Sequence, residues 1–558
     1  LVRWSSSISN SPSESSTGVA RAAAIIALGN VASRILGLVR ESVIAYLFGA
    51  TGAVSIFRLA ATLAQTLYDF LVGGMVSAAL VPVFSEFAAK DRAELWRIAS
   101  IVVNVLAIFL ALVILILEIF APQVVFLLGS GYDASLQAQA VEMIRYILPA
   151  IFFLGMSGIV TGLLYSLKRF TFPAFTAAAF NLGIVLVAIL LSPILGITSL
   201  ILGIIIGSVL QVALQLPGLR DARYHFVISF SHPTLRRILK LYAPVVAGLT
   251  ISVVGVAIDR NLASHAGAQS LAWMQNATVL IQFPLGLVGT AISFAILPTL
   301  SRQSTVNSQQ SASVISREQS DREISILQTE ISRSARNDNS TSNFQQTLTF
   351  GIKLVLLLIL PSAVGLFILA RPIVALLFEH GAFLPSDTTQ TALALQFYLI
   401  GLPFAAIDQP LVFAFYARKN TLLPNLVAFA AVGVYVIVAL ALIQNYGMIG
   451  LVIANSAQLT SHALIMLWFT RIRLGGFGGA GLGIMVVKVI AASAAMGVLA
   501  YFVLSAVGFI AINAVSVIVP GIAAIFAYAA LLKIFRVREA EQVWAMLASR
   551  LTLRRPMV

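Results

Sequence analysis

Cysteine is absent from all 558 residues, so neither disulfides nor thiolate metal sites are available to this chain. The five histidines, at 225, 232, 265, 380 and 462, are scattered without ligand spacing, and no metal or cofactor is expected. Charge is scarce as well. Only 10% of the residues are Asp, Glu, Lys or Arg, where a soluble globular domain would carry roughly 25%. Alternating segments of strand length are missing, which excludes a membrane β-barrel. What the chain has instead is apolar length: 59% of it is hydrophobic and its mean hydropathy is +0.98. Runs of about 18 apolar residues or more recur from end to end, each long enough to cross the hydrocarbon of a bilayer. The expected fold class is an all-α polytopic membrane protein.

Helices are expected at approximately 20–48, 53–88, 94–121, 136–166, 171–193, 196–217, 234–264, 268–300, 344–378, 386–417, 421–444, 447–471, 482–507 and 509–535, fourteen in all. Residues 1–18 are rich in Ser and lack an apolar centre, and read as a disordered lead-in, not a cleaved signal peptide. The net charge of +14 does not point to nucleic acid, because the basic residues cluster in short loops between apolar runs. Lys90, Arg92 and Arg97 follow the second helix, Lys168 and Arg169 the fourth, and Arg220, Arg223, Arg236, Arg237 and Lys240 the sixth. The alternation continues through Arg302 to Arg336, Arg418 and Lys419, Arg471 and Arg473, and a basic tail over 537–558. Because cytoplasmic loops hold the excess of Lys and Arg, both termini are expected on the cytoplasmic side.

An internal repeat organises the chain. Pro122, Val124, Leu127 and Gly131 match Pro372, Val374, Leu377 and Gly381 at an offset of 250. Tyr165, Lys168, Pro173 and Gly196 match Tyr416, Lys419, Pro424 and Gly447 at an offset of 251. Two pseudo-symmetric six-helix lobes follow, over 19–230 and 231–475, with two further helices over 476–536 outside the repeat. An even number of spans returns the chain to its starting side, so the halves share one orientation, with a cleft expected between them. Residues 303–343 are polar and read as a cytoplasmic linker, a short surface helix near ISIL (324–327) remaining open.

The candidate site is a polar seam in the leading helices. Asn30, Arg34, Gly37 and Glu41 recur at helical spacing with Ser33 and Arg40 beside them, and Ser55, Arg58, Thr62, Gln65 and Asp69 form a similar stripe. A charged group at bilayer depth costs about 2.5 to 3.5 kcal/mol on insertion scales, so it faces a partner or a hydrated space. The seventh helix brings Asp259 and Arg260, and the eighth Gln275, Thr278 and Gln282 followed by FPLGLVG (283–289). Arg34, Arg40, Arg58 and Arg260, with Gln282, are the candidates for substrate binding, since a guanidinium fork suits phosphate. Glu41, Asp69 and Asp259 are the coupling or cavity acids, and Asp408 is a further titratable group. The competing reading pairs Arg34 with Glu41, or Arg260 with Asp259, as ion pairs that only set helix packing. No Walker loop, nucleophile elbow or paired carboxylate motif is present, so transport is expected and not enzymatic turnover.

SRILGLVRE (33–41), SAALVPVFSE (77–86), IDRNLAS (258–264), QFPLGLVGTAISFAILPTLS (282–301), LPSAVGLFILARPIVALLFEHGAF (360–383) and AFYARKNTLLPN (414–425) occur in that order. Together they resemble the MurJ (MviN) family of lipid II flippases, within the multidrug/oligosaccharidyl-lipid/polysaccharide exporter superfamily. The resemblance implies fourteen helices, a central cationic cavity, and alternating-access transfer of an undecaprenyl-diphosphate-linked peptidoglycan precursor between leaflets of the bacterial cytoplasmic membrane. Membrane lipids and cell-wall synthesis proteins are then the expected partners, and cell wall biogenesis the setting. Arg34, Arg40 and Asp259 match family positions, and Glu41 stands where Asp is usual. Departures from the pattern are Ser55, Tyr68 or Asp69, and Gly73 with Gly74 on the second helix, Val279 on the eighth, and Tyr435 and Ala439 on the eleventh, where some members hold sodium. Flipping of another lipid-linked glycan, ion-coupled drug antiport within the same superfamily, and a membrane scaffold without transport are the alternatives.

Overall fold

The computed structural model describes residues 13–290, isolated positions from 292 to 303, and 326–478, 481–507 and 513–542. No strand occurs among these residues, and twelve of the helical stretches are long and apolar enough to cross a membrane. The two expected spans outside that set are the first and the eighth. Helix α1 (Ser13–Phe48) holds Arg34, Arg40 and Glu41, and the eighth span continues into residues described only in part. The chain divides into two compact units, 1–264 and 265–558.

In the first unit α1 begins at Ser13, inside the stretch expected to be disordered, because a nucleated helix gains a hydrogen bond for each residue added. The rest of the Ser-rich lead-in lies outside the described residues. Thr51 caps α2 (Gly52–Tyr68) by accepting from Val54 N at 3.4 Å. The expected second span is continuous to Lys90 but passes through π turns at Asp69–Gly73 and Val76–Leu80 before α3 (Val81–Lys90). Proline has no N–H to return to the preceding turn, and Pro82 is the second residue after the second of these wide turns.

Asp91, extended at φ −150°, ends α3 and caps α4 (Arg92–Ile119), accepting from Ala93 N at 2.8 Å. Here expectation and structure part. The chain breaks at Phe120 and starts a separate short helix, α5 (Ala121–Gly129), with Pro122 in its first turn. Helices α6 (Ala134–Ile147) and α7 (Pro149–Ser166) make the fourth span, and α8 (Thr171–Ala174) leads into α9 (Thr176–Leu195) and α10 (Thr198–Gln215). At the crossing of α9 and α10 a Cβ on Gly183 would lie 2.7 Å from the Gly207 Cα. Apposed glycines let two membrane helices pack backbone to backbone. Helix α11 (Pro233–His265) is sparsely covered, with 6% of its most apolar window buried. An apolar cavity of about 490 Å³ lies between α11, α4 and the π turns, walled by Phe70, Met75, Phe109, Ile238 and Val246.

The second unit runs through α12 (Ser270–Pro284), a π turn at Leu285–Thr290, and α13 (Ile326–Ile368). Helix α13 therefore starts within the polar stretch 303–343 expected to be a cytoplasmic linker, whose residues 304–325 lie outside the described residues. It breaks at Leu369 into α14 (Ala370–Phe378), the counterpart of α5. Helices α15 (Pro385–Ala417), α16 (Leu422–Tyr446) and α17 (Met448–Arg473) complete the repeated part. Helices α18 (Leu482–Val507) and α19 (Asn513–Ile534) pack on α13 through Leu357, Met485, Val489, Ala492 and Leu532, and Tyr528 Oη donates to Leu357 O at 2.7 Å.

The repeat extends to the backbone. Lys168 and Lys419 share a left-handed φ of 58°, and Gly196 and Gly447 have φ of 54° and 53°. Arg169 N donates to Leu164 O at 2.8 Å, and Asn420 N to Phe415 O at 3.0 Å. A left-handed lysine costs roughly 1–2 kcal/mol against the right-handed form, so its occurrence at both places marks one turn used twice.

Candidate functional site

Helix α1 presents Arg40 and Glu41 side by side towards α2 and α9. The Glu41 carboxylate is 1% exposed and takes two guanidinium groups: Arg40, with Nε at 3.1 Å from Oε1, and Arg58 of α2, with Nη1 at 2.7 Å from Oε2. Asn181 of α9 completes the cluster, accepting from Arg40 Nη1 at 2.9 Å and donating to Ser33 O at 3.1 Å. Two permanent positive charges around one carboxylate leave the cluster net positive by one. Its exposure is uneven. The Arg58 side chain is 8% exposed and that of Arg40 26% exposed, so Arg40 is the open member.

Sequence spacing suggested Arg34 as the partner of Glu41; the structure gives Glu41 to Arg40 and Arg58 instead, and leaves Arg34 half-buried on α1. Arg58, expected to face substrate, and Glu41, expected to line a hydrated space, are buried against each other. Asp69 is exposed at the start of the first π turn and accepts from Gln65 Nε2 at 3.2 Å. On α11, Arg260 Nη1 lies 3.3 Å from the Asp259 carboxylate, with side-chain exposures of 19% and 25%. The next residue, Asn261, donates to Leu127 O and Ser130 Oγ at 2.9 Å each, tying this end of α11 to α5. Nearer its start, α11 is held by Tyr242, whose hydroxyl donates to Phe70 O inside the π turn. In the second unit Gln282 of α12 is exposed.

Two partners escaped the sequence reading. Asn181 stands alone in an apolar run, and its only signal was an amide at membrane depth. His462 was read only as one of five histidines without ligand spacing, and its Nδ1 lies 2.8 Å from Asp408 Oδ1. At the basic end of the first unit Asp221 joins three loops: it accepts from Arg169 Nη2 at 3.1 Å and from Arg92 Nη1 at 3.1 Å. Hydrogen bonding from Arg169 holds the Asp221 carboxyl below the ordinary carboxylate range. Residues 92, 169 and 221 thus lie at the same end of the helices, as alternating loops of a multi-span chain require.

With that geometry in place, the sequence profile of the family described as Lipid II flippase MurJ matches residues 44–319 and 324–520. The chain belongs to this family. A lipid II flippase MurJ of Burkholderia cenocepacia is 29% identical over 431 residues, covering 75% of this chain and 76% of its own. A solved structure of a lipid II flippase MurJ in an inward closed conformation superposes with a TM-score of 0.74 at 25% identity, covering 91% of this chain and 98% of its own. An inward-facing multidrug resistance MATE transporter of the MOP superfamily shares the fold, with a TM-score of 0.60 at 14% identity over 79% of this chain and 94% of its own. The chain is thus a multi-span membrane protein of a transporter family, not an enzyme family.

Proposed function

We propose that this protein flips lipid II, a polyprenyl-diphosphate-linked peptidoglycan precursor, from the inner to the outer leaflet of the bacterial cytoplasmic membrane by alternating access. The observation that carries the reading is the family match across 44–319 and 324–520, with the net-positive Arg40, Glu41 and Arg58 cluster inside the leading helices as its chemical complement. Arg40 meets the diphosphate with its open edge, joined by Arg34, while Glu41, Arg58 and Asn181 hold the guanidinium in place. A bidentate guanidinium contact suits a phosphate head that must shed water before it moves. Arg260, Asp259, Asp69 and Gln282 are secondary contacts along the route, and both termini lie in the cytoplasm because the basic loops do.

The test is complementation of a bacterial strain depleted of its own lipid II flippase. The wild-type chain restores growth and cell shape. Arg40→Ala inserts normally but fails to restore growth, and Arg40→Lys restores it in part, because an ammonium supplies charge without the fork. Restoration by Arg40→Ala at the wild-type level overturns the assigned role of Arg40. Failure of the wild-type chain, correctly inserted, overturns the flippase reading.

A further inference from the structure

We propose that Asp408 and His462 form a proton-binding site in the second unit, loaded and emptied during the transport cycle; this rests on the flippase reading above. Both residues lie within helices that cross the membrane, α15 and α17. Ionisable groups at that depth are costly and mark ion or proton pathways. His462 Nδ1 is 2.8 Å from Asp408 Oδ1, and the two side chains are 14% and 20% exposed, enclosed yet within reach of water.

A second acceptor is at hand. The backbone of Pro424 on α16 lies near the ring, and because proline has no N–H it can offer only its carbonyl. A carboxylate and a carbonyl are both acceptors. Neutral imidazole carries one N–H and imidazolium carries two, so only the protonated ring can donate to α15 and α16 at once. When the proton leaves to water, the pair passes from net zero to net −1, and one of the two acceptors faces a ring lone pair. Proton occupancy is thereby linked to how α17 is tied to its neighbours.

The surroundings offer little competing charge. Helix α12 and the π turn after it contain no acidic, basic or tyrosine residue. Among the described side chains of α13, Lys353 is paired with Glu539 at 2.7 Å. Helix α14 carries Arg371, α16 carries Tyr435 and Tyr446, and α17 ends in Arg471 and Arg473. On α15, Tyr416 interacts electrostatically with Asp408, and Asp387 accepts from Trp273 Nε1 at 2.9 Å. Beyond the end of α15, Arg418 stacks over the Phe344 ring and Lys419 occupies the left-handed turn. By contrast, the guanidinium groups of Arg40 and Arg58 stay protonated at any physiological pH, so the first-unit cluster cannot serve as the proton carrier through them.

The experiment measures lipid II flipping by the full chain in proteoliposomes, with the pH on each side varied between about 5 and 8, the window in which imidazole changes charge. The wild-type rate is expected to change several-fold across that window, and His462→Gln and Asp408→Asn are expected to flip slowly with no pH response. A wild-type rate indifferent to pH, or an unchanged pH response in folded His462→Gln, overturns the proton site and leaves the flippase reading intact. No flipping by the wild-type chain at any pH overturns the flippase reading instead. A second measurement needs no transport: ¹⁵N resonances of a chain whose only histidine is His462 should show two protonated ring nitrogens giving way to one within the same window. A ring that stays neutral throughout overturns the proposal.

Discussion

The two halves of this chain share a backbone and differ in what they bury. At Lys168 and Lys419, and at Gly196 and Gly447, the same turns recur with φ values equal to within a degree. At the polar positions the halves diverge. The first unit encloses Arg40, Glu41 and Arg58, whose positive charges are permanent, while the second encloses Asp408 and His462, an acceptor and a ring that changes charge near neutrality. Duplication supplied one scaffold twice because helix packing depends on small residues and turn geometry, which tolerate changes in the polar interior. Under the proposed function the two clusters divide the work, Arg40 gripping an anion and His462 taking up a proton.

The strongest way to break the comparison is to remove the carboxylate of the first unit. Glu41→Ala leaves two guanidinium groups facing each other, and losing one partner of a buried ion pair costs about 3–5 kcal/mol. Thermal unfolding of the purified protein should show a fall of that order, whereas Asp408→Asn, which retains an acceptor for His462, should fall much less. Equal losses would mean that the two clusters do the same structural work.

The repeat itself is sharpened by Gly196→Ala and Gly447→Ala. Both glycines combine positive φ with ψ of −138° and −128°, a region that suits glycine alone, and no neighbouring heavy atom lies closer than 3.5 Å to the added methyl position. Strain alone should then set the cost, about 1–3 kcal/mol at each site. Chemical denaturation of the two variants should agree closely, and a large inequality would show that the turns carry different loads.

The smallest effect is expected at Asp221. Its carboxyl is depressed below the ordinary range, so its contribution is complete above the unfolded value of about 4 and is lost as pH falls through the lower folded value. The group is exposed, so Asp221→Asn should cost less than about 1 kcal/mol at neutral pH. The difference between variant and wild type should shrink in unfolding measurements as pH falls from the unfolded value through that lower folded value.

Much of the fold was legible because membrane insertion writes itself into composition. Apolar runs, basic loops and the repeated Pro and Gly positions marked the spans and the duplication before any packing was known. The short helices α5 and α14 went unread although Pro122 and Pro372 lie just past the breaks at Phe120 and Leu369, because the apolar residues on either side continue the run. The site was half legible. The stripe on α1 and α2 put Arg40, Glu41 and Arg58 on one polar seam, where they pair, but spacing along one helix suggested Arg34 for Glu41, and neither Asn181 nor the pairing of His462 was read from the sequence.

By itself the sequence determined that this is a helical membrane protein built twice from one plan, because crossing a bilayer demands apolar length and saturated backbone hydrogen bonds whatever the neighbours. Only the tertiary structure decided which charge meets which. Helix rotation and crossing, such as the close approach of Gly401 on α15 to Ser456 on α17, bring Arg58 to Glu41 and His462 to Asp408 across 17 and 54 residues of chain. Local periodicity places a side chain on a face but cannot say what that face will touch.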